Sequence, residues 1–274
     1  MSHSQDMVFT LYGDYIRHRG GEAWTGSLIE LLGLFGLSEQ AVRSTLSRMS
    51  GKGWLKSRKE GRRSFYALTP KCLELLEEGA RRIFHPRCDP WDGQWHLLTY
   101  SIPEPRRHLR RKLRRQLQWL GFGVLHQATW ISPRDLRAEV EPMVDALDVR
   151  PYVELFTAAH RGFASDKEIV ARCWNLEQLD EYYAAFVARY GPPLQEHQAC
   201  LAAGDSLDSQ ECFVRRFMLI HEYRASPYLD PNLPLELLPA HWSGQRAAQM
   251  FQQYHDLLVE QAEAFVDSVF AQAL

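Results

Sequence analysis

The five cysteines (Cys72, Cys88, Cys173, Cys200 and Cys212) are odd in number, and no two stand in CxxC spacing. That argues against a disulfide framework or a zinc ribbon and for reduced, mostly buried thiols. No apolar run approaches the ~20 residues a membrane helix needs. Met1 to Asp6 is polar and lacks the basic-then-apolar layout of a signal peptide, so the expected location is cytoplasmic, with no membrane contact. Also missing are a GxSxG elbow, a Gly-rich phosphate loop, an HExxH pair and any paired-carboxylate cluster in the middle of the chain. Nucleophilic, nucleotide-dependent and zinc-dependent chemistry therefore have no anchor, and neither a catalytic residue, a metal site nor a cofactor is expected.

What is present is ordinary globular material. The chain has 274 residues, 45% of them hydrophobic and 24% charged, which is long for one core and comfortable for two or three domains. The net charge of −2 hides an asymmetry. Residues 1–85 carry thirteen Lys/Arg against nine Asp/Glu, whereas residues 175–274 carry five against fourteen. A basic front and an acidic rear point to two different jobs.

Thr10 to His18 has a helical pattern, ended by Gly20-Gly21, and Thr25 is placed to cap a second helix through Leu28, Ile29, Leu31 and Leu32. Gly33 to Leu37 supplies a tight turn, and Ser38 is placed to cap a third helix from Glu39 to Ser50. At ~100° per residue Val42, Leu46 and Met49 share one face of it. Gln40, Arg43, Ser44 and Ser47 share the other, with Arg48 at its edge. Trp54–Lys59 and Arg62–Leu68 then alternate as strands about a turn at Glu60-Gly61, with Lys56, Arg58, Lys59, Arg62 and Arg63 toward the tip. Thr69-Pro70 opens another helix. This order is that of a winged helix-turn-helix. The third helix would enter a major groove, where a bidentate Arg–guanine or Gln–adenine contact discriminates by ~1–3 kcal/mol, while the hairpin cations neutralise phosphates.

Arg87 to Gly93 reads as a linker. Beyond it, a strand at 95–102, a helix at 105–120, a strand pair over 124–131, a helix at 133–147 and a strand at 153–158 follow the βαββαβ ferredoxin-like plan. The first helix turns Leu109, Leu113, Leu117 and Leu120 to one side. Arg106, Arg107, Arg110, Arg111, Lys112, Arg114 and Arg115 cover nearly all of the rest. Three readings stay open for that surface: a solvated face, an auxiliary phosphate contact with DNA, or a cradle for an anionic ligand such as a coenzyme A derivative.

The remainder reads as all-helical: two helices over 166–190 parted at Trp174-Asn175, a loop from Gly191 to Ser209, and a helix over 212–223. A proline-rich passage at 228–239 and a long apolar-faced helix over 243–271 follow. His197, His221, His241 and His255 have no metal-ligand spacing and read as ordinary core or surface histidines. The expected division is therefore 1–86, 93–160 and 166–274: an α+β chain with a winged helix-turn-helix, a ferredoxin-like middle domain, and a helical domain for effector binding and dimerisation.

Several blocks together carry a resemblance: Ala41-Val42-Arg43-Ser44-Thr45-Leu46-Ser47-Arg48-Met49, Gly53-Trp54-Leu55, Gly61 to Thr69, Trp119 to Gly123, Trp130-Ile131-Ser132-Pro133, and Leu233-Pro234 to Trp242-Ser243-Gly244. In this order they resemble the PaaX family of phenylacetate-catabolism repressors over essentially the whole chain. The resemblance implies a homodimer on a palindromic, inverted-repeat operator in double-stranded DNA, released by an aryl-coenzyme A thioester such as phenylacetyl-coenzyme A. It places DNA reading on Arg43, Ser44, Ser47 and Arg48, with wing contacts from Arg62 and Arg63. The middle segment also resembles the small ferredoxin-like nucleases of CRISPR adaptation. Those carry a metal-binding Asp near the end of the first strand, where this chain reads Thr99-Tyr100-Ser101-Ile102-Pro103 before Glu104, so the fold is expected without the nuclease. Two alternatives stand beside the repressor: a winged-helix adaptor that docks proteins, and a metal-dependent nuclease using Glu104.

Overall fold

The computed structural model describes residues 3–85 and 89–272, so Arg87 and Cys88 of the expected linker lie outside the described residues. The fold is mixed α+β, with two small antiparallel sheets among helices. The chain divides into two compact units that interleave along the sequence. One gathers Met1–His85, Ala185–Ala225 and Gln245–Leu274; the other gathers Pro86–Ala184 and Ser226–Gly244.

The first unit opens with α1 (His3–Leu11), which runs on through a π-helical turn at Tyr12–Ile16 and a 3-10 turn at Arg17–Arg19. The helical stretch thus begins earlier than the pattern at Thr10 predicts, because Met7, Val8 and Phe9 are already core. It stops at Gly20, whose φ of +82° is left-handed. A short strand not expected from sequence, β1 (Glu22–Trp24), leads into α2 (Thr25–Gly33). Thr25 is the first residue of α2 rather than its cap, and its hydroxyl donates instead to the Ser64 carbonyl at 2.7 Å. Next, α3 (Glu39–Gly51) starts as expected, with the Ser38 hydroxyl accepting from the Ala41 N–H at 3.3 Å. Val42, Leu46 and Met49 are buried, joined by Thr45.

The hairpin of β2 (Leu55–Glu60) and β3 (Arg63–Leu68) pairs Leu55 with Leu68 and Glu60 with Arg63 around Gly61, where φ is +57°. β1 adds on the far side of β3, giving the order β1-β3-β2. Thr69 and Pro70 then open α4 (Pro70–Phe84), whose cap bond runs from the Cys72 N–H to the Thr69 hydroxyl.

In the second unit β4 (Trp95–Tyr100), α5 (Arg107–Trp119), β5 (Gly123–His126), β6 (Thr129–Ser132), α6 (Arg137–Ala146) and β7 (Val153–Ala158) form a sheet of order β5-β6-β4-β7. This is the ferredoxin-like plan. One core of the unit unites Leu98 and Trp130 with Leu113 and Leu117 of α5 and Val140, Met143 and Val144 of α6. A second unites Trp95 and Ile131 with Ile169, Leu233, Leu237 and Leu238. The repeated glycines have a use here. A Cβ at Gly121 (φ +90°) would lie 3.0 Å from the Pro231 carbonyl oxygen, and one at Gly123 would lie 2.6 Å from the Trp174 ring.

α7 (Asp166–Cys173) starts at a capping box between Ser165 and Glu168. The loop expected from Gly191 to Ser209 is shorter than expected: α8 (Leu176–Ala202) continues through Pro192 and Pro193, and the chain leaves helix only over 203–208. Then come α9 (Ser209–Tyr223), the short α10 (Ser226–Leu229) and α11 (Ser243–Ala271). Within the first unit α9 and α11 share a core with the N-terminal helices: Phe35 stacks on Phe217 at 4.1 Å, and Tyr15 and Phe265 meet Phe213 at 5.2 and 5.5 Å. The thiols of Cys72 and Cys212 are buried, which pushes both up to about 11 and keeps them protonated and unreactive.

Candidate nucleic-acid interface

Gln40, Arg43, Ser44, Ser47 and Arg48 are all exposed on α3. Their internal contacts are local and weak. Arg43 Nε donates to Glu39 Oε1 at 2.8 Å, Arg48 Nη2 to Thr45 Oγ1 at 3.0 Å, and Ser44 Oγ to the Ala41 carbonyl at 3.1 Å. An exposed i,i+4 pair such as Arg43–Glu39 is worth a few tenths of a kcal/mol, so little holds Arg43 back from an outside acceptor. Hence a rigid, capped helix presents five adjacent hydrogen-bonding side chains.

The hairpin cations fall into two groups. Lys56, Lys59 and Arg62 are exposed and form no ion pair among the described residues. Arg58 is committed within the unit. Its guanidinium reaches across the Phe65 ring (4.6 Å) and donates to both Glu22 carboxylate oxygens at 3.1 and 2.8 Å, and to Glu60 at 2.6 Å. Those bonds hold Glu22 below its usual carboxylate range and raise the guanidinium. Arg63 lies over the Trp24 ring at 5.3 Å. Arg58 and Arg63 therefore tie the three strands together, Arg58 reaching from β2 to β1 and Arg63 from β3 to β1.

A polar cluster that sequence reading missed lies inside the first unit. Arg216, only 3% exposed, donates to Asp14 at 2.5 Å and approaches His255 at 2.8 Å and Glu263 at 3.6 Å. Tyr15 lies beneath the Arg216 guanidinium at 5.0 Å. One signal was readable: Asp14 interrupts an apolar helical pattern, and an isolated carboxylate there needs a buried cation. His197, His221 and His255 have protein partners. His221 Nδ1 lies 2.9 Å from the Thr10 hydroxyl, and His197 Nδ1 lies 3.2 Å from the Tyr254 hydroxyl. Among the described residues no group of three His, Cys, Asp or Glu is placed to hold a metal ion.

On α5, Leu113 and Leu117 are buried, and Arg107, Arg111, Lys112, Arg114 and Arg115 are exposed, with Arg106 and Arg110 half-buried. Glu104, the carboxylate that follows β4, is paired with Arg110 and lies 4.0 Å from Arg107. The same unit holds a cavity of about 360 Å³ between α6 and the β7 edge, floored by Phe122, Val140, Val144 and Leu155. Its rim arginines, Arg137 and Arg150, are paired with Glu141 and Asp145.

Comparison with known proteins covers nearly the whole chain. Residues 3–72 match the family of PaaX-like proteins, residues 88–170 the central Cas2-like domain of PaaX proteins, and residues 174–268 the PaaX-like C-terminal domain. The chain is 36% identical to an Escherichia coli protein named transcriptional repressor PaaX, over 95% of this chain and 82% of that one. A solved structure of an uncharacterized Mycobacterium tuberculosis protein shares the fold, with a TM-score of 0.62 at 25% identity over 97% of this chain and 98% of that one. The chain belongs to the PaaX-like family.

Proposed function

We propose that the chain is a DNA-binding transcriptional repressor of a phenylacetate-type aromatic-acid operon, released by an aryl-coenzyme A thioester. The single observation that carries the reading is α3: a capped helix with its apolar side buried and Gln40, Arg43, Ser44, Ser47 and Arg48 all in solvent. Followed by the β2–β3 hairpin, it supports reading the segment 1–86 as a winged helix-turn-helix with α3 as the recognition helix. Kinship to a protein named as a repressor supports the same reading.

In this mechanism Arg43 gives up its surface pair with Glu39 for a guanine edge, and Gln40, Ser44, Ser47 and Arg48 complete the contact. Lys56, Lys59 and Arg62 hold phosphates, as does Arg63 while it keeps the strand over Trp24. Arg58 serves the wing by bracing it, a different job from the phosphate contact expected from its sequence position. A homodimer would set two copies of α3 about one DNA turn (~34 Å) apart, hence an inverted repeat. The thioester would favour a conformation of the dimer with a different spacing, and would weaken DNA binding by the ratio of its affinities for the two states.

The test begins with selection of bound duplexes from a random pool. The expected product is an inverted repeat. Replacing Arg43→Ala with Arg48→Ala abolishes the preference for it, whereas Arg62→Ala with Arg63→Ala weakens all duplexes alike and flattens the salt dependence. An unenriched pool contradicts DNA reading. Operator affinity unchanged by phenylacetyl-coenzyme A in a gel-shift titration contradicts the effector alone.

A further inference from the structure

The cationic surface of α5 has no counterpart in the winged-helix mechanism. Between Glu104 and Trp119 the chain carries seven Arg/Lys and one carboxylate. Glu104 serves Arg107 and Arg110, and Asp148 serves Arg106 at 3.1 Å. Arg111, Lys112, Arg114 and Arg115 form no ion pair among the described residues. Like charges stand at i,i+4 in Arg107–Arg111, Arg110–Arg114 and Arg111–Arg115, each pair costing the helix a few tenths of a kcal/mol. Arg107 also places a cation at the positive end of the helix dipole. A surface so loaded against its own helix is relieved by an external polyanion.

We infer that α5 is a second, sequence-blind binding site for double-stranded DNA, holding the phosphate backbone through Arg107, Arg111, Lys112, Arg114 and Arg115. The inference rests on the DNA-binding reading above. Three observations select a duplex over other anions. First, the cationic row from Arg107 to Arg115 covers about 12 Å of helix, and a duplex presents a phosphate charge every ~1.7 Å of its axis, so phosphates are on offer along the whole row. A coenzyme A ligand, with its few anionic groups at one end, would engage only part of it. Second, small ligands are held in concavities, and the cavity beside α6 and β7 takes none of its lining from α5. Third, insertion into a lipid surface needs a free apolar side, whereas Leu113 and Leu117 are fully buried against Trp130 and Leu98.

The experiment compares the full chain with the triple variant Arg111→Gln, Arg114→Gln, Arg115→Gln, measuring affinity for the selected operator and for an unrelated duplex from 50 to 200 mM salt. The expected slope of log K against log salt falls in magnitude by about 2.7 per bound protomer, about 5.4 for the homodimer, since each lost phosphate contact removes ~0.9. Affinity falls by the same factor, at least tenfold at 100 mM, on both duplexes, so the preference for operator stays intact. The triple Lys variant keeps the wild-type slope, which separates charge from packing. Unchanged slope in the Gln variant, with Arg62→Ala and Arg63→Ala still flattening it, overturns this inference and leaves the winged-helix reading standing. Equal loss in the Lys and Gln variants overturns it too. So does loss of the response to phenylacetyl-coenzyme A with the salt slope preserved, which would make α5 a ligand cradle. A wild-type chain that binds no duplex removes both readings together.

Discussion

Arg216 is held almost entirely out of water by partners drawn from distant parts of the sequence, Asp14 at one end and His255 and Glu263 at the other. Burial by itself would lower its guanidinium, but Asp14, Tyr15 and Glu263 outweigh that and raise it. Taking one partner from a buried ion pair strands the other, at a cost of about 3–5 kcal/mol. Arg216→Met should therefore lower denaturant stability by that order, and the double change with Asp14→Leu should recover most of it; a single variant as stable as wild type contradicts the account. His221 makes a pH prediction. Burial, then Arg224 and His3, lower it to about 4, so the folded state favours the neutral ring. An unfolded histidine titrates near 6.5. The contribution is whole above about pH 6.5, declines as pH falls toward 4, and amounts to roughly 1–2 kcal/mol after discounting for partial exposure. Between pH 7 and 5 His221→Gln should lose less thermal stability than wild type, and parallel losses would contradict the assignment.

At the scale of elements, α3 was legible because each signal was local. Ser38 caps it, Val42, Leu46 and Met49 set its buried side, and the exposed set Gln40 to Arg48 follows from the same 3.6-residue period. Ser38→Ala should cost about 1 kcal/mol, read by denaturation, with Ser38→Asp close to wild type; an Ala variant of unchanged stability would show that the cap bond is idle. The hairpin and the ferredoxin-like order were legible for the same reason. What escaped was decided at a distance. β1 is three residues long, and it is a strand because it pairs with Phe65 to Ala67. α8 persists through Pro192 and Pro193 because its buried row, Leu179, Tyr183, Phe186, Tyr190 and Leu194, continues past them, so packing overrides a propensity that predicts a break. Arg58 looked like a free wing cation because its partner Glu22 lies 36 residues earlier.

On the scale of the whole molecule, the uneven charge has two uses. Part of the acidic rear neutralises the front within one unit: Glu263 and Asp267 bind Arg19. The cations the mechanism assigns to DNA, on α3, on the β2–β3 hairpin and on α5, are among those left exposed. The central claim is that α3 reads bases rather than only adding charge. Its most direct test is a cycle of affinities, in which each base pair of a selected half-site is changed in turn and each duplex is titrated with wild type and with Arg43→Ala. The account predicts that wild type loses ~1–3 kcal/mol at a G·C pair and that Arg43→Ala is indifferent to that pair alone. An Arg43→Ala chain that keeps the full pattern of preferences, weakened uniformly, would contradict it.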